Sequence, residues 1–478
     1  MKKPVLILLI TIFCMPLNAH SQENTGIEEY LGSLEKALMI DKSAFKEIWE
    51  GFDLNNFPIA LYNERNAFLI NHPSPEAPFA PTDRRINGLS VSFSKERIRE
   101  FSANTSMKYN EILTSIFNVK EGMTPGSFYD LLFHEVFHSF AGSLRSLKGR
   151  YGNALLTPFF PSDDPVYYAY AHIEQQLLKE AVFSDDDFDA AERIKEFYYM
   201  LFRRNNMAGE EYSEFEYNEQ INEGIATYAG YRGLELMGYE NEASEKLAEQ
   251  LDMRIDRPDG FRKRCYGTGA ALARLLDRFY PGWKNDFDRN VNLVDMLRLE
   301  IPPTDKIDEQ KLLADHKYDA LRALFHRSLF KYKQDLRTIR KGIMNFDRIE
   351  VVFPENTQMT LNFDPMNITA VSDTLLYHSR FLRLLLEDNF EIEMNGVPCL
   401  TKIYPRNMFL VRSLNVGKPE MLEITVDGEN LTGSGELSFN ALTLKGENLY
   451  WRIYNGSIRQ EYGNIIIRLN HKKPEDRP

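Results

Sequence analysis

The stretch Thr124–Gly142, TPGSFYDLLFHEVFHSFAG, constrains this chain more than any other. It contains His134-Glu135-Val136-Phe137-His138, the HExxH pattern. On a helix the two histidines are one turn apart, so both imidazoles leave the same face. That spacing lets two neutral ring nitrogens bind one tetrahedral zinc at about 2.0–2.1 Å. Glu135 sits beside that face, where its carboxylate can take a proton from a water activated by the metal. The local signals for a helix agree. Thr124 can cap it, Pro125 suits its first turn and Gly142 can close it. Leu131, Leu132, Val136, Phe137 and Phe140 surround it with apolar side chains, so it should run through a core. The competing reading is a buried helix that carries two histidines by accident; the flanks and the start and stop signals weigh against it.

A chain of 478 residues has room for two or three domains. Its formal charge of -13, with no dense Lys/Arg run, argues against a nucleic-acid surface. Lys2 and Lys3 precede an apolar run from Val5 to Leu17, and Ala19 and Ser21 are small residues beyond it. This is the pattern of a signal peptide over 1–21, with cleavage before Gln22 and export to the periplasm or beyond. The run is too short for a membrane span, and no later stretch is apolar enough for one. Cys265 and Cys399 remain after cleavage; nothing in their spacing resembles a metal motif, and the sequence sets no distance between them.

Gly26–Glu50 reads as helical, followed by short strands at Phe57–Tyr62 and Ala67–Ile70 joined by a turn at Asn63–Asn66. The proline-rich segment His72–Pro81 reads as extended loop, with His72 a loop histidine. Leu89–Phe93 alternates apolar and serine residues as a half-exposed strand does, and is either a sheet edge for an extended peptide or an interior strand. Beyond the HExxH helix, Tyr151–Pro165 reads as a loop. Helices are expected at Val166–Phe183, which carries His172 and Glu174, and at Asp187–Arg204, with Ser184–Asp187 capping the second. His172 is a secondary candidate for binding a substrate oxygen.

The second informative stretch is Glu211–Tyr231, EYSEFEYNEQINEGIATYAGY. Glu216, Glu219 and Glu223 are three and four residues apart and should line one helical stripe. Three carboxylates on a stripe are tolerated if it faces water, or if a metal and cationic partners lie opposite. Ile221, Ile225, Ala226, Tyr228 and Ala229 make the other faces apolar, and Gly224, Ala226 and Ala229 permit close helix packing. An ordinary acidic amphipathic helix is the competing reading.

HExxH on one helix, with Asn222-Glu223-Gly224-Ile225-Ala226-Thr227-Tyr228 on a later one, resembles the glutamate-zincins (gluzincins), a superfamily of zinc metallopeptidases. The likeness spans roughly residues 128–280 and is similar to that of uncharacterised secreted bacterial zincins. It implies His134, His138 and Glu223 as zinc ligands and Glu135 as general base. Glu219, one turn before Glu223, then suits hydrogen bonding to a ligand histidine. The interval from His138 to Glu223 is longer than in many gluzincins, and the two helices expected across Val166–Arg204 fill it. The upstream glycine-Met-Glu-Asn segment of the aminopeptidase branch is absent from the sequence. In gluzincin aminopeptidases a tyrosine ahead of a glycine-entered helix hydrogen-bonds the developing oxyanion. Tyr266, in Cys265-Tyr266-Gly267-Thr268-Gly269 before Ala270–Phe279, is similar to it, and Tyr228 is the competing donor.

Asp305–Asn345 reads as charged and helical, with His316 and His326 lacking partners at ligand spacing. From Phe346 the pattern changes to short strands at Ile349–Phe353, Met359–Phe363, Phe390–Met394, Leu422–Val426, Leu437–Phe439, Leu449–Tyr454 and Ile465–Leu469. Asn395-Gly396, Asp427-Gly428 and Asn455-Gly456 read as turns between them. The expected architecture is therefore α+β. A mainly helical zincin-like catalytic domain over 22–345, with a small N-terminal sheet, precedes an all-β, sandwich-like domain over 346–470 and a polar tail over 471–478. The expected function is an exported zinc metallohydrolase, a peptidase acting on peptide or protein substrates. The alternative is a catalytically inactive zincin-fold surface or binding protein whose β domain makes the contacts; retention of Glu135 beside both histidines favours the enzyme, because a structural zinc needs no base.

Overall fold

The structure, a computed structural model, describes residues 25–98, 100–101, 103–144, 147, 164–287, 291–345, 347–355, 357, 359–363, 367–386, 388–431, 435–446 and 448–470. The expected signal peptide, residues 151–163 of the expected loop and the polar tail lie outside them. The chain divides into two compact units, 1–140 and 141–478, so the later helices and the C-terminal strands belong to one unit. Helices followed by a β-rich region make the fold mixed α+β.

In the first unit, α1 (Thr25–Leu38) and two short 3-10 turns precede a six-stranded sheet. Its strands are β1 (Ile59–Tyr62), β2 (Ala67–Ile70), β3 (Ala80–Ile86), β4 (Leu89–Ser94), β5 (Thr105–Tyr109) and β6 (Ile112–Asn118), in the order β3-β4-β2-β1-β6-β5. β1 and β2 form the expected hairpin, closed by Asn63 N–H donating to the Asn66 carbonyl at 3.0 Å. β1 and β6 run parallel and the other pairs antiparallel. Of the two readings open for Leu89–Ser94, the interior strand holds and the edge does not: it pairs with β2 on one side and β3 on the other. The edges among the described strands are β3 and β5. Pro81 did not exclude β3 because an edge strand needs no partner for every N–H.

Helix α2 (Pro125–Ala141) follows β6 and carries HExxH. Thr124 Oγ1 accepts from Ser127 N–H at 3.1 Å, the expected cap, and the helix ends one residue before Gly142.

In the second unit the helices are α3 (Pro165–Phe183), α4 (Asp187–Asn205), α5 (Glu210–Glu219), α6 (Ile225–Leu236), α7 (Glu240–Asp252), α8 (Phe261–Phe279), α9 (Trp283–Asp286), α10 (Leu293–Glu300), α11 (Glu309–Asp315) and α12 (Tyr318–Asn345). α8 is central and packs against α3, α5, α6, α7 and α10. Its exposed positions are few because Cys265, Gly267, Thr268, Gly269, Ala270, Ala271 and Leu272 are all buried. It begins at Phe261, so Tyr266 lies inside the helix and not ahead of it; Gly269 lies against the backbone of Gln220 and Gly224, and Gly267 against Gln250. α3 and α4 form a helical pair, with Asp186 capping α4 by accepting from Asp189 N–H.

Among the described residues thirteen C-terminal strands join in one branched hydrogen-bonded network around an apolar core that includes Ile349, Val351, Leu384, Ile392, Leu414, Trp451, Ile453 and Ile467. The branch lies in one long strand, Leu449–Glu461. Its first half pairs with Phe390–Asn395, and its second half with Asn464–Leu469, while Glu436–Gly446 follows its other edge throughout. Asn455-Gly456, expected as a turn, sits at the changeover inside this strand. Asn455 has φ +56°, and a Cβ at Gly456 would lie 2.4 Å from the Arg468 carbonyl oxygen and 2.7 Å from the Phe439 ring. The pair therefore bends a strand instead of ending it. Asp427-Gly428, with φ +48° and +89°, is a true hairpin turn between Val426 and Glu429.

Candidate metal centre

Within the first unit α2 is gripped on two sides. Toward the sheet, Ser139 Oγ is hydrogen-bonded to Ser106 of β5 at 2.6 Å and Ser115 of β6 at 2.7 Å, and Ser115 Oγ donates to the Glu135 carbonyl at 3.2 Å. Toward the N-terminal segment, Phe133, Phe137 and Phe140 pack on Phe45, Trp49, Phe52 and Phe57 with ring centroids 5.4–6.5 Å apart. Tyr30 of α1 stacks on Phe128 and donates its hydroxyl to the Lys120 and Met123 carbonyls, which fixes the entry to α2. The serines and phenylalanines occupy different faces of the helix, which leaves the face carrying His134 and His138 half-buried. Glu135 is buried.

The two histidines converge. Their Nε2 atoms are 3.1 Å apart, with the rings edge to face at 77°. Two nitrogens bound to one tetrahedral zinc stand roughly 3.3 Å apart, so this separation suits a shared cation.

In the second unit the carboxylate stretch is not one regular helix. Between α5 and α6, Gln220–Gly224 forms a π-helical turn, an element that is rare and concentrates at functional sites. All three carboxylates are buried, with Glu216 and Glu219 2 % exposed and Glu223 7 % exposed, so they do not face water, and of the two expected ways to tolerate them the cationic partners are present. Cations separate them. Arg204 of α4 makes a bidentate pair with Glu216 at 2.6 and 3.0 Å and another with Glu174 of α3 at 2.6 and 3.0 Å, while Arg264 of α8 contacts both carboxylates. Glu219 and Glu223 instead share Arg262 of α8: Nε lies 3.0 Å from Glu219 Oε2, and Nη2 donates to Glu223 Oε1 at 2.5 Å. Asn222 Nδ2 also donates to Glu223 Oε1, at 3.2 Å.

The π-turn is seated on α8 through two glycines. A Cβ on Gly224 would fall 2.5 Å from Gly269 Cα, and one on Gly269 would fall 2.4 Å from the Gln220 carbonyl oxygen. The backbones touch there, and Gln220 Nε2 donates to Thr268 Oγ1 at 3.1 Å beside them.

His134 and His138 belong to the first unit and Glu223 to the second. No family model, curated protein or solved structure matches this chain. The two imidazoles of α2 are donors of the kind catalytic zinc takes, alongside which a carboxylate is a common third ligand.

The two tyrosine candidates part company. Tyr266, half-buried, receives a hydrogen bond from Arg262 Nη1 at 3.1 Å and lies beside Glu223. Burial, and then the Glu223 carboxylate, push its phenol well above the usual value, so it remains a proton donor at neutral pH. Tyr228 is fully buried, donates to Asp277 at 2.5 Å and accepts from Lys284 at 2.6 Å, in a cluster with Trp283. His172 packs edge-on against Phe325; burial, and then Arg254, lower its pKa to about 4, which keeps it neutral. His72 is buried with Nε2 3.0 Å from the Tyr109 carbonyl oxygen. Cys265 and Cys399 are both free and buried.

Sequence reasoning did not find Arg204, Arg262 and Arg264. The signal was present: a buried carboxylate requires a cation or a proton, and Arg262 and Arg264 flank the tyrosine already singled out.

Proposed function

We propose that this chain is an exported zinc-dependent metallohydrolase of gluzincin type with a zincin-like catalytic region, and that it cleaves peptide bonds. The observation carrying this reading is the convergence of His134 and His138 on one face of α2, their Nε2 atoms 3.1 Å apart, with the buried Glu135 beside them on the same helix; Glu223 enters as the third ligand that the gluzincin resemblance implies. When bound, zinc supplies a Lewis acid for the scissile carbonyl and makes water acidic enough to ionise near neutral pH. The chain's own groups do the rest. His134, His138 and Glu223 would hold the ion. Glu135 accepts the proton of the attacking water and delivers it to the leaving amine. Tyr266 donates to the oxygen that gains charge, a contact contributing on the order of 2.7–4 kcal/mol to the transition state. Glu219 acts behind the ligands, holding the Arg262 guanidinium.

The test is metal analysis of the purified full chain followed by digestion of a mixed peptide library. One zinc per chain and chelator-sensitive cleavage are expected. Stoichiometric zinc without cleavage of any library member would reject the peptidase and favour a binding protein. Export is tested separately by sequencing the N-terminus of the mature protein, expected to begin at Gln22. No helix among the described residues is long and apolar enough to cross a membrane.

A further inference from the structure

Helix α12 is basic in an acidic chain. It carries Arg322, Arg327, Lys331, Lys333, Arg337, Arg340 and Lys341 against only Asp319 and Asp335, while the whole chain has a formal charge of -13. Its two faces differ. Phe325, Leu329, Leu336, Ile339 and Ile343 recur at helical spacing on the inner face, with Phe325 and Leu329 buried. The helix packs there against α3 and the strands Ile368–Ser372, Cys399–Tyr404 and Asn407–Gly417 of the same unit. On the opposite face Arg327, Phe330, Lys331, Gln334, Arg337 and Lys341, three and four residues apart, are all exposed. That stripe runs about 21 Å along the axis. Asp319 lies 3.8 Å from Arg322, and among the described residues no ion pair closes on Arg327, Lys331, Arg337, Arg340 or Lys341. In their midst Phe330 is 60 % exposed.

We propose that the outer face of α12 docks on an anionic lipid bilayer. The helix lies in the plane of the headgroups, with its cations among the phosphates and the Phe330 ring inserted below them. The partner has to match both features of the stripe, and a bilayer sets an apolar layer directly beneath a sheet of negative charge. A nucleic acid would attract the same cations, but a single helix is convex and offers a strand no track, and Phe330 has no second ring on the stripe to stack a base against. The negative charge on the rest of the chain does not prevent docking. Its field is screened within about 8 Å at physiological salt, whereas the α12 cations meet the phosphates at contact.

The experiment measures cosedimentation of the purified chain with vesicles of phosphatidylcholine alone and of phosphatidylcholine mixed equally with phosphatidylglycerol, at low and high ionic strength. Binding to the anionic vesicles alone, weakening with salt, is expected. Combining Arg327→Gln, Lys331→Gln, Arg337→Gln and Lys341→Gln should weaken it by more than about 100-fold, at about fivefold per cation. The control combines Arg84→Gln, Arg85→Gln, Lys95→Gln and Lys120→Gln, the same charge change at exposed positions of the first unit, and should bind as wild type. Both variants keep the same N-terminus, so a difference between them belongs to α12. Phe330→Ala should lose about tenfold, and that ratio should persist at high salt. Circular dichroism monitors folding, and the wild-type preference for anionic vesicles needs no variant. Equal binding to both vesicle types, or equal loss in the α12 and control variants, would overturn the proposal. Release from the vesicles by RNA at equal phosphate, with Phe330→Ala behaving as wild type, would overturn it in favour of nucleic acid. A dimer in sedimentation velocity that the α12 variant alone abolishes would overturn it in favour of a second copy of the chain.

Discussion

Gly224→Ala tests the seat of the π-turn. The added methyl would meet Gly269 Cα at 2.5 Å, the Cys265 carbonyl oxygen at 2.9 Å and Gly269 C at 3.0 Å, and every one of these atoms is backbone. No rotamer change can relieve such contacts. Restoring an ordinary separation of at least 3.4 Å requires the π-turn and α8 to part by about 1 Å. Overpacking of this kind costs typically about 1–3 kcal/mol, and a rigid backbone neighbour places the expected loss toward the upper end. The functional effect should be the larger one. Glu223 precedes Gly224 directly and is held by Arg262, on the same helix as Gly269, so a shift of about 1 Å separates the proposed ligand from its partner. Misplacement on that scale can lower catalytic efficiency by about 100-fold. Urea denaturation measures the first quantity, and zinc content with kcat/KM on a library-derived peptide measures the second. Gly32→Ala in α1 serves as the control: its added methyl meets nothing within 4 Å, so helix propensity alone should make it neutral or stabilising by up to about 1 kcal/mol. A Gly224→Ala protein with native stability and native zinc content would refute the argument that this contact positions the ligand.

Four further outcomes are expected. Glu135→Gln should retain its zinc while hydrolysis falls by about 10²–10⁴-fold, measured as turnover per bound metal; comparable turnover would remove Glu135 from the mechanism. Glu223→Ala should leave the protein with far less than one zinc per chain, whereas Glu219→Ala should weaken binding only about 10–100-fold, and metal analysis of the two variants at limiting zinc distinguishes them. Tyr266→Phe should lower kcat and kcat/KM together with little change in substrate affinity, while Tyr228→Phe, which breaks the Asp277 and Lys284 contacts, should appear as lost stability with near-native kcat. Arg204→Met should destabilise the second unit by about 3–5 kcal/mol, because it leaves Glu174 and Glu216, both buried, to Arg264 alone; a native denaturation midpoint would contradict that account.

Much of the helical region can be read from the sequence because its determinants are local. Thr124, Pro125 and Gly142 bracket α2 almost to the residue, and the i, i+4 spacing of His134 and His138 already implies the convergence seen at 3.1 Å. The Asp186 cap and the hairpin at Asn63–Asn66 are equally local. Strand existence was often legible, as at Ala67–Ile70. Strand order was not: whether Leu89–Ser94 lies at an edge depends on where β3 returns, and nothing within the strand records that. Asn455-Gly456 carries a turn signature, yet distant neighbours, Arg468 and Phe439, hold it within a continuous strand.

The same division holds at the candidate centre. The sequence by itself determined the chemistry available: two imidazoles on one face, an adjacent base, and a later set of glutamates. It pointed to Glu223 through the small residues that follow it and the gluzincin resemblance, but spacing alone cannot separate Glu216, Glu219 and Glu223, which are of one residue type. Tertiary structure supplied their partners, with Arg204 and Arg264 taking Glu216 and Arg262 joining Glu219 to Glu223. A buried carboxylate is defined by the cation opposite it, and that cation arrives from another element whose approach depends on the backbone contact at Gly224 and Gly269.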